Sequence, residues 1–259
     1  MYKYFLWLLK LGALLNLYFL LQTLTPPLAS VDVRIRIPAQ IFFSVSTFRC
    51  LFPVNYVTSA VLHDSLLSSI FLTRVFATFS EAAYIYLFSY IIRYVNAEQI
   101  PMVDVLSWLM VGQVIISQYC VWGAILTGKQ KFYFYEEFGW GVIFVILTVL
   151  SAILYWTLEN LYGYKLLLQL NLIFGAVYLP WQLIHLSILR SRAKYQKINK
   201  NYQTDLSRSV LIKGLYKSIR IKNPTTRSEA WGGVFGMTWM IGYWSALIPA
   251  WIYLIVRTV

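Results

Sequence analysis

Apolar residues gather into six long runs, at about 4–24, 66–92, 105–126, 139–158, 164–189 and 231–256. Each has the ~20 residues that a helix needs to cross a hydrocarbon core about 30 Å thick. Inside a bilayer the backbone of each must bond to itself, which makes it helical. The pattern predicts an all-α, polytopic transmembrane helix bundle, a single domain over 1–259. Residues 37–62 break the pattern: Ile37-Pro38-Ala39-Gln40-Ile41-Phe42-Phe43 is apolar, but Arg49, Pro53 and Asn55 interrupt the remainder. That segment reads as interfacial or re-entrant, with a seventh span as the alternative. The first run is followed by Thr25-Pro26-Pro27 rather than a small-residue cleavage site, so it reads as a span and not as a leader.

Composition agrees with this reading. The chain is 59% hydrophobic and 12% charged, where an ordinary soluble domain is about 45–50% apolar and about 25% charged. A soluble fold of this size could not hide so much apolar surface. The net charge of +12 would suggest a nucleic-acid partner in a soluble chain. Here basic residues collect in alternate loops, as they do on the cytoplasmic side of membrane proteins, and no nucleic acid is called for.

With six spans, loops 1, 3 and 5 hold Arg34, Arg36, Arg49, Lys129, Lys131 and eleven basic residues between Arg190 and Arg227. The other face holds Lys3, Arg93, Lys165 and Arg257. The imbalance places residues 190–229 in the cytoplasm and both termini outside it; a seventh span would bring the N-terminus inside. Within 190–229 the only acids are Asp205 and Glu229. Tyr195, Ile198, Tyr202, Leu206 and Val210, then Leu211, Leu215 and Ile219, recur at helical spacing. They predict a basic amphipathic helix over 195–219 on an anionic leaflet, against the plainer reading of an ordinary basic loop.

The residues that offer chemistry are polar groups inside apolar runs. If the second helix begins by His63, then His63, Arg74 and Glu81 each lie about 20° from the next around its axis, with Thr78 about 40° to the side and Asp64 on the flank. An arginine in a span faces protein or a wet cavity rather than lipid, so this stripe is expected to look inward, with Arg74 near a carboxylate such as Glu81. In a binding site Arg74 and Thr78 would hold an anionic or carbonyl group, with Gln113 and Ser117 of the third span completing the pocket. His63, Asp64, Glu81 and Glu159 would supply acid–base chemistry. The alternative is a structural ion pair.

In the last span Gly232 and Gly236 form a G-x-x-x-G spacing, which suits close packing within the bundle, or an interface with a second copy or a membrane partner. Cys50 and Cys120 have no ligand spacing and His63 and His185 are the only histidines, so no metal or cofactor is expected. No P-loop, H-E-x-x-H helix or G-x-S-x-G elbow is present. Three functions fit: a membrane-embedded enzyme acting on a lipid or isoprenoid-like substrate, a transporter or channel for a small solute or ion, and a non-catalytic subunit of a larger membrane complex.

Overall fold

A computed structural model describes residues 2–158, 163–199 and 207–259. The described helices are α1 (Tyr2–Gln22), α2 (Val33–Leu51), α3 (Ile70–Asn96), α4 (Pro101–Thr127), α5 (Gln130–Thr157), α6 (Lys165–Asn199), α7 (Arg208–Arg220), α8 (Gly233–Met240) and α9 (Leu247–Thr258), with a π-helical turn, Ile241–Ala246, joining the last two. Helices α1, α3, α4, α5 and α6 and the α8–α9 rod from Gly236 are long and apolar enough to cross a membrane. The chain is thus an all-α bundle with the composition of a multi-pass membrane protein. It groups into two compact units, residues 1–87 with 216–259, and residues 88–215.

In the first unit α2 runs back along α1. The Gln40 amide donates to the carbonyl of Thr23 at 3.4 Å, the Phe19 and Phe43 rings lie 5.5 Å apart, and Asn16 and Cys50 reach the same carbonyl, that of Trp244. Helix α2 therefore ends beside the middle of α1. The chain completes the traverse without a helix, through strands β1 (Val54–Asn55) and β2 (Ala60–Val61), which pair antiparallel. Strand β2 also pairs in parallel with β3 (Asn223–Pro224). Ala60 lies in a buried cluster with Trp231 and Met237, against which Phe5 packs.

Residues 33–61 thus pass along α1 within this unit, from its Thr23 end to its Phe5 end. The N-terminal end of α1 and residues 223–231 lie at the same end of this unit. Val54, Ala60 and Val61 are buried, while Val57 and Thr58 between the two strands are exposed.

The α8–α9 rod runs parallel to α1. Gly12 lies so close to Ser245 that a Cβ there would overlap it, and Phe19 stacks on Tyr253 at 4.2 Å. The π turn between these contacts leaves one carbonyl without a backbone donor. The Leu247 N–H bonds to the Gly242 carbonyl, five residues back. Continuing that register would aim the N–H of residue 249 at the Trp244 carbonyl, but residue 249 is proline and has none. Asn16 Nδ2 donates to that carbonyl instead at 2.9 Å, and the Cys50 thiol approaches it at 3.5 Å.

In the second unit α4, α5 and α6 form an antiparallel set. A Cβ at Gly139 would overlap Ser117 and Gln113, and one at Gly175 would overlap Thr148. Asn171 Nδ2 donates to Ser151 Oγ at 2.8 Å, while Phe144 packs on Phe174 and Tyr178. The single amphipathic helix expected over 195–219 is interrupted: α6 continues to Asn199, Ser207 is not helical, and α7 starts at Arg208. Tyr202, Asp205 and Leu206 lie outside the described residues. Gly232 has φ +83° and precedes α8, so Gly232 and Gly236 do not share a helical face. Gly236 is small because the Trp231 carbonyl covers it.

Candidate functional site

The first unit gathers its buried charge where α2 stops and the π turn begins. Arg74 and Glu81 project from α3 seven residues apart, about 10 Å along the axis, and the guanidinium reaches along the helix to grip the carboxylate with two bonds, at 2.6 and 3.2 Å. Arg74 is 2% exposed and Glu81 5%. A second guanidinium comes from the last turn of α2, where the helix C-terminus favours a cation. Arg49 Nη1 is 3.9 Å from Glu81 Oε1, close enough for attraction but too far for a hydrogen bond. The Arg49 guanidinium lies 3.5 Å from the ring centroid of Trp244, a cation–π contact.

Aromatic residues wall this cluster. The Tyr56 ring lies 5.6 Å from the Arg49 guanidinium and 5.9 Å from that of Arg74. Tyr243 donates to the Tyr84 hydroxyl at 2.7 Å, and Tyr84, three residues beyond Glu81, lies on the same face of α3. Phe42 packs edge-on against Tyr84 and parallel to Trp244. Two buried polar atoms, Arg49 Nη1 and Tyr56 Oη, have no hydrogen-bond partner among the described residues.

The charges do not cancel. Among the described residues of this unit Glu81 is the one buried side-chain carboxylate. Asp32 is exposed and caps α2, Asp64 is 68% exposed, and Glu229 is exposed. Two guanidinium groups therefore face one carboxylate, which leaves about one positive charge in a low-dielectric site. Such a charge is costly without a counter-ion.

The expected pairing of Arg74 with Glu81 is present, but the stripe is shorter than the spacing suggested. Helix α3 begins only at Ile70, because the serine-rich approach caps it: Ser69 Oγ accepts from the Leu72 N–H at 3.2 Å. Residues 66–68 form a separate 3-10 turn. His63 lies before both, beside the Phe52 ring, and Asp64 pairs with Lys222 at 3.3 Å near the sheet. Neither shares a helical face with Arg74. The Thr78 hydroxyl donates to the Arg74 carbonyl at 3.0 Å, back along its own helix.

Gln113 and Ser117 belong to the second unit, packed on Gly139, and Glu159 lies outside the described residues. Arg49, Tyr56, Tyr84, Tyr243 and Trp244 are functional candidates that the sequence pattern does not single out. Arg49 carries a signal, an arginine next to an apolar run, but by position it reads as a loop charge. Neither a protein-family model, nor a curated protein sequence, nor a solved structure matches the chain.

Proposed function

We propose that the first unit binds the anionic head of a lipid or isoprenoid-like molecule within the bilayer, and that the protein acts on this substrate as a membrane-embedded enzyme. The observation that carries the reading is the excess of guanidinium over carboxylate at Arg49, whose Nη1 is buried without a hydrogen-bond partner, as is the hydroxyl of Tyr56, whose ring lies 5.6 Å from that guanidinium. A phosphate or carboxylate at this place would accept from both and neutralise the excess charge, as charge-assisted bonds do best when water is excluded. Arg74 then acts as the fixed base of the site, held by Glu81. Glu81 and the Tyr243–Tyr84 hydroxyl pair are the groups that could move a proton, and their apolar and aromatic surroundings suit a hydrocarbon-bearing substrate.

A second reading is supported by one observation. Helix α2 stops half-way along α1, and the last span is broken by the π turn at the same level. Paired helix interruptions at membrane depth are the usual site architecture of transporters, and π turns recur at functional sites. In this reading the same residues hold a small anion in transit.

Thermal unfolding in uncharged detergent tests the proposal. Dodecyl phosphate or dodecanoate at 100 times its dissociation constant should stabilise the protein by about 2.7 kcal/mol, or about 5–10 °C at this chain length. Inorganic phosphate should act weakly and dodecyltrimethylammonium not at all. Arg49→Leu should remove the response. Equal responses in the variant and the natural protein would refute a site at Arg49. Uptake of labelled phosphate into proteoliposomes, abolished by Arg49→Leu, would decide for transport over enzymatic action.

A further inference from the structure

We infer that α7 is a docking surface for anionic lipid headgroups, set across the membrane boundary and independent of the buried site in the first unit. The helix divides into three faces. Gly214 and Ser218, four residues apart, form the small face: a Cβ at Gly214 would overlap the Leu126 backbone, and Ser218 is 2% exposed. Leu126 is the next-to-last residue of α4, so α7 packs against the very end of a membrane-length helix. Leu211, Ile212, Leu215, Tyr216 and Ile219 occupy an adjoining arc of about 140°, and all five are exposed, with Ile212 at 55% and Tyr216 at 64%. Lys213, Lys217 and Arg220 fill the remaining side, with Arg208 at the start.

Water does not explain the apolar arc, and charge selects what covers it. The helix holds four cations and no acid, and among the described residues none of the four pairs with a carboxylate. A second copy placed on this face would oppose like charges. An anionic leaflet answers both features: headgroups take the lysines and arginines, and the apolar arc enters the headgroup–acyl boundary. Each end of α7 leads within about 15 residues to a membrane-length helix, α6 and α8–α9, so the helix is already held at that depth.

The test uses the full-length protein reconstituted in vesicles. Cys120→Ser removes the half-exposed thiol while Cys50 is buried, so Ile212→Cys can carry an environment-sensitive fluorophore. Brominated phosphatidylglycerol should quench the probe more strongly than brominated phosphatidylcholine, and the difference should shrink as salt rises. Each neutralised cation, Lys213→Gln, Lys217→Gln or Arg220→Gln, should lower the lipid-inserted fraction about fivefold in its equilibrium. Equal quenching by the two lipids would overturn the inference, and so would energy transfer between probes on neighbouring copies without quenching by either lipid. The thermal response to dodecyl phosphate that depends on Arg49 is a separate readout, so failure of one proposal leaves the other standing.

Discussion

Removing Arg74 should destabilise the protein, and the way stability returns should reveal that the cluster has three members. Arg74→Leu keeps bulk and deletes the donor of both bonds, leaving Glu81 with Arg49 at 3.9 Å. Breaking a buried pair costs about 3–5 kcal/mol when the survivor is uncompensated. The Arg49 guanidinium offsets part of this, since two unit charges about 4 Å apart attract by about 4 kcal/mol at an effective dielectric near 20.

We expect a net loss of about 2–4 kcal/mol for Arg74→Leu, a fall of roughly 5–15 °C in the unfolding midpoint. For an isolated pair, adding Glu81→Gln would restore stability. Here the double variant leaves Arg49 alone among aromatic rings, so stability should stay low. Only the triple variant, with Arg49→Leu added, should recover to within about 1 kcal/mol of the natural protein, because well-packed apolar residues often replace buried ions at no cost. Arg49→Leu alone should be close to neutral, since it relieves the excess charge. Thermal unfolding of the four variants in one detergent decides the matter. Full recovery in the double variant would show that Arg49 is not coupled to the pair.

Two more outcomes concern the first unit. With a single reporter cysteine and an impermeant thiol reagent in sealed vesicles, Tyr4→Cys and Arg220→Cys should react from the same side and Thr258→Cys from the other; reaction of positions 4 and 258 together from one side would contradict the traverse of residues 33–61. Asn16→Leu should cost about 1–3 kcal/mol by stripping the buried Trp244 carbonyl of its donor, and Pro249→Ala, which returns an N–H to that register, should recover part of the loss. Equal destabilisation of the single and double variants in thermal unfolding would show that Pro249 is not the reason this carbonyl lacks a backbone donor.

The spans are legible in the sequence because a bilayer imposes one demand, about 20 apolar residues with a self-satisfied backbone, on every helix that faces lipid. The Arg74–Glu81 pair is legible for the same reason: charge within such a run must face protein, and a separation of seven puts two residues on one side of a helix. The features that escape the sequence lie outside that demand. The start of α3 turns on which serine caps it, and Ser65, Ser68 and Ser69 are equivalent in composition; only Ser69 makes the capping bond. The π turn requires that Asn16, 233 residues before Pro249, supply the missing donor. Tyr56, Tyr243 and Trp244 carry no signature among the 46 aromatic residues of the chain, and they become a wall only when three distant segments meet.

The course of residues 33–61 along α1 is obscured by the property that makes it interesting. Hydropathy finds helices that lipid surrounds, whereas α2 turns one face, with Ile35, Ala39, Phe42, Phe43 and Cys50, to protein and leaves Val33, Ile37, Ile41 and Leu51 exposed on the other. Such a segment is free to hold Arg49, to end in mid-traverse and to continue as Pro53 and two short strands, each of which lowers its apparent fitness for a membrane. The charge distribution does not correct the impression. With a seventh crossing, Lys3, Lys129, Lys131 and the eleven basic residues of 190–227 fall on one side, while Arg34, Arg36, Arg93, Lys165 and Arg257 fall on the other. The basic excess on the side of α7 therefore survives either count, and charge alone does not choose between them. What the structure adds is packing within the unit, with Gln40 at Thr23 and Ala60 near Phe5. A segment that contributes a charge to a buried ion cluster will in general resemble a loop, because charged residues are those that a hydropathy scale penalises.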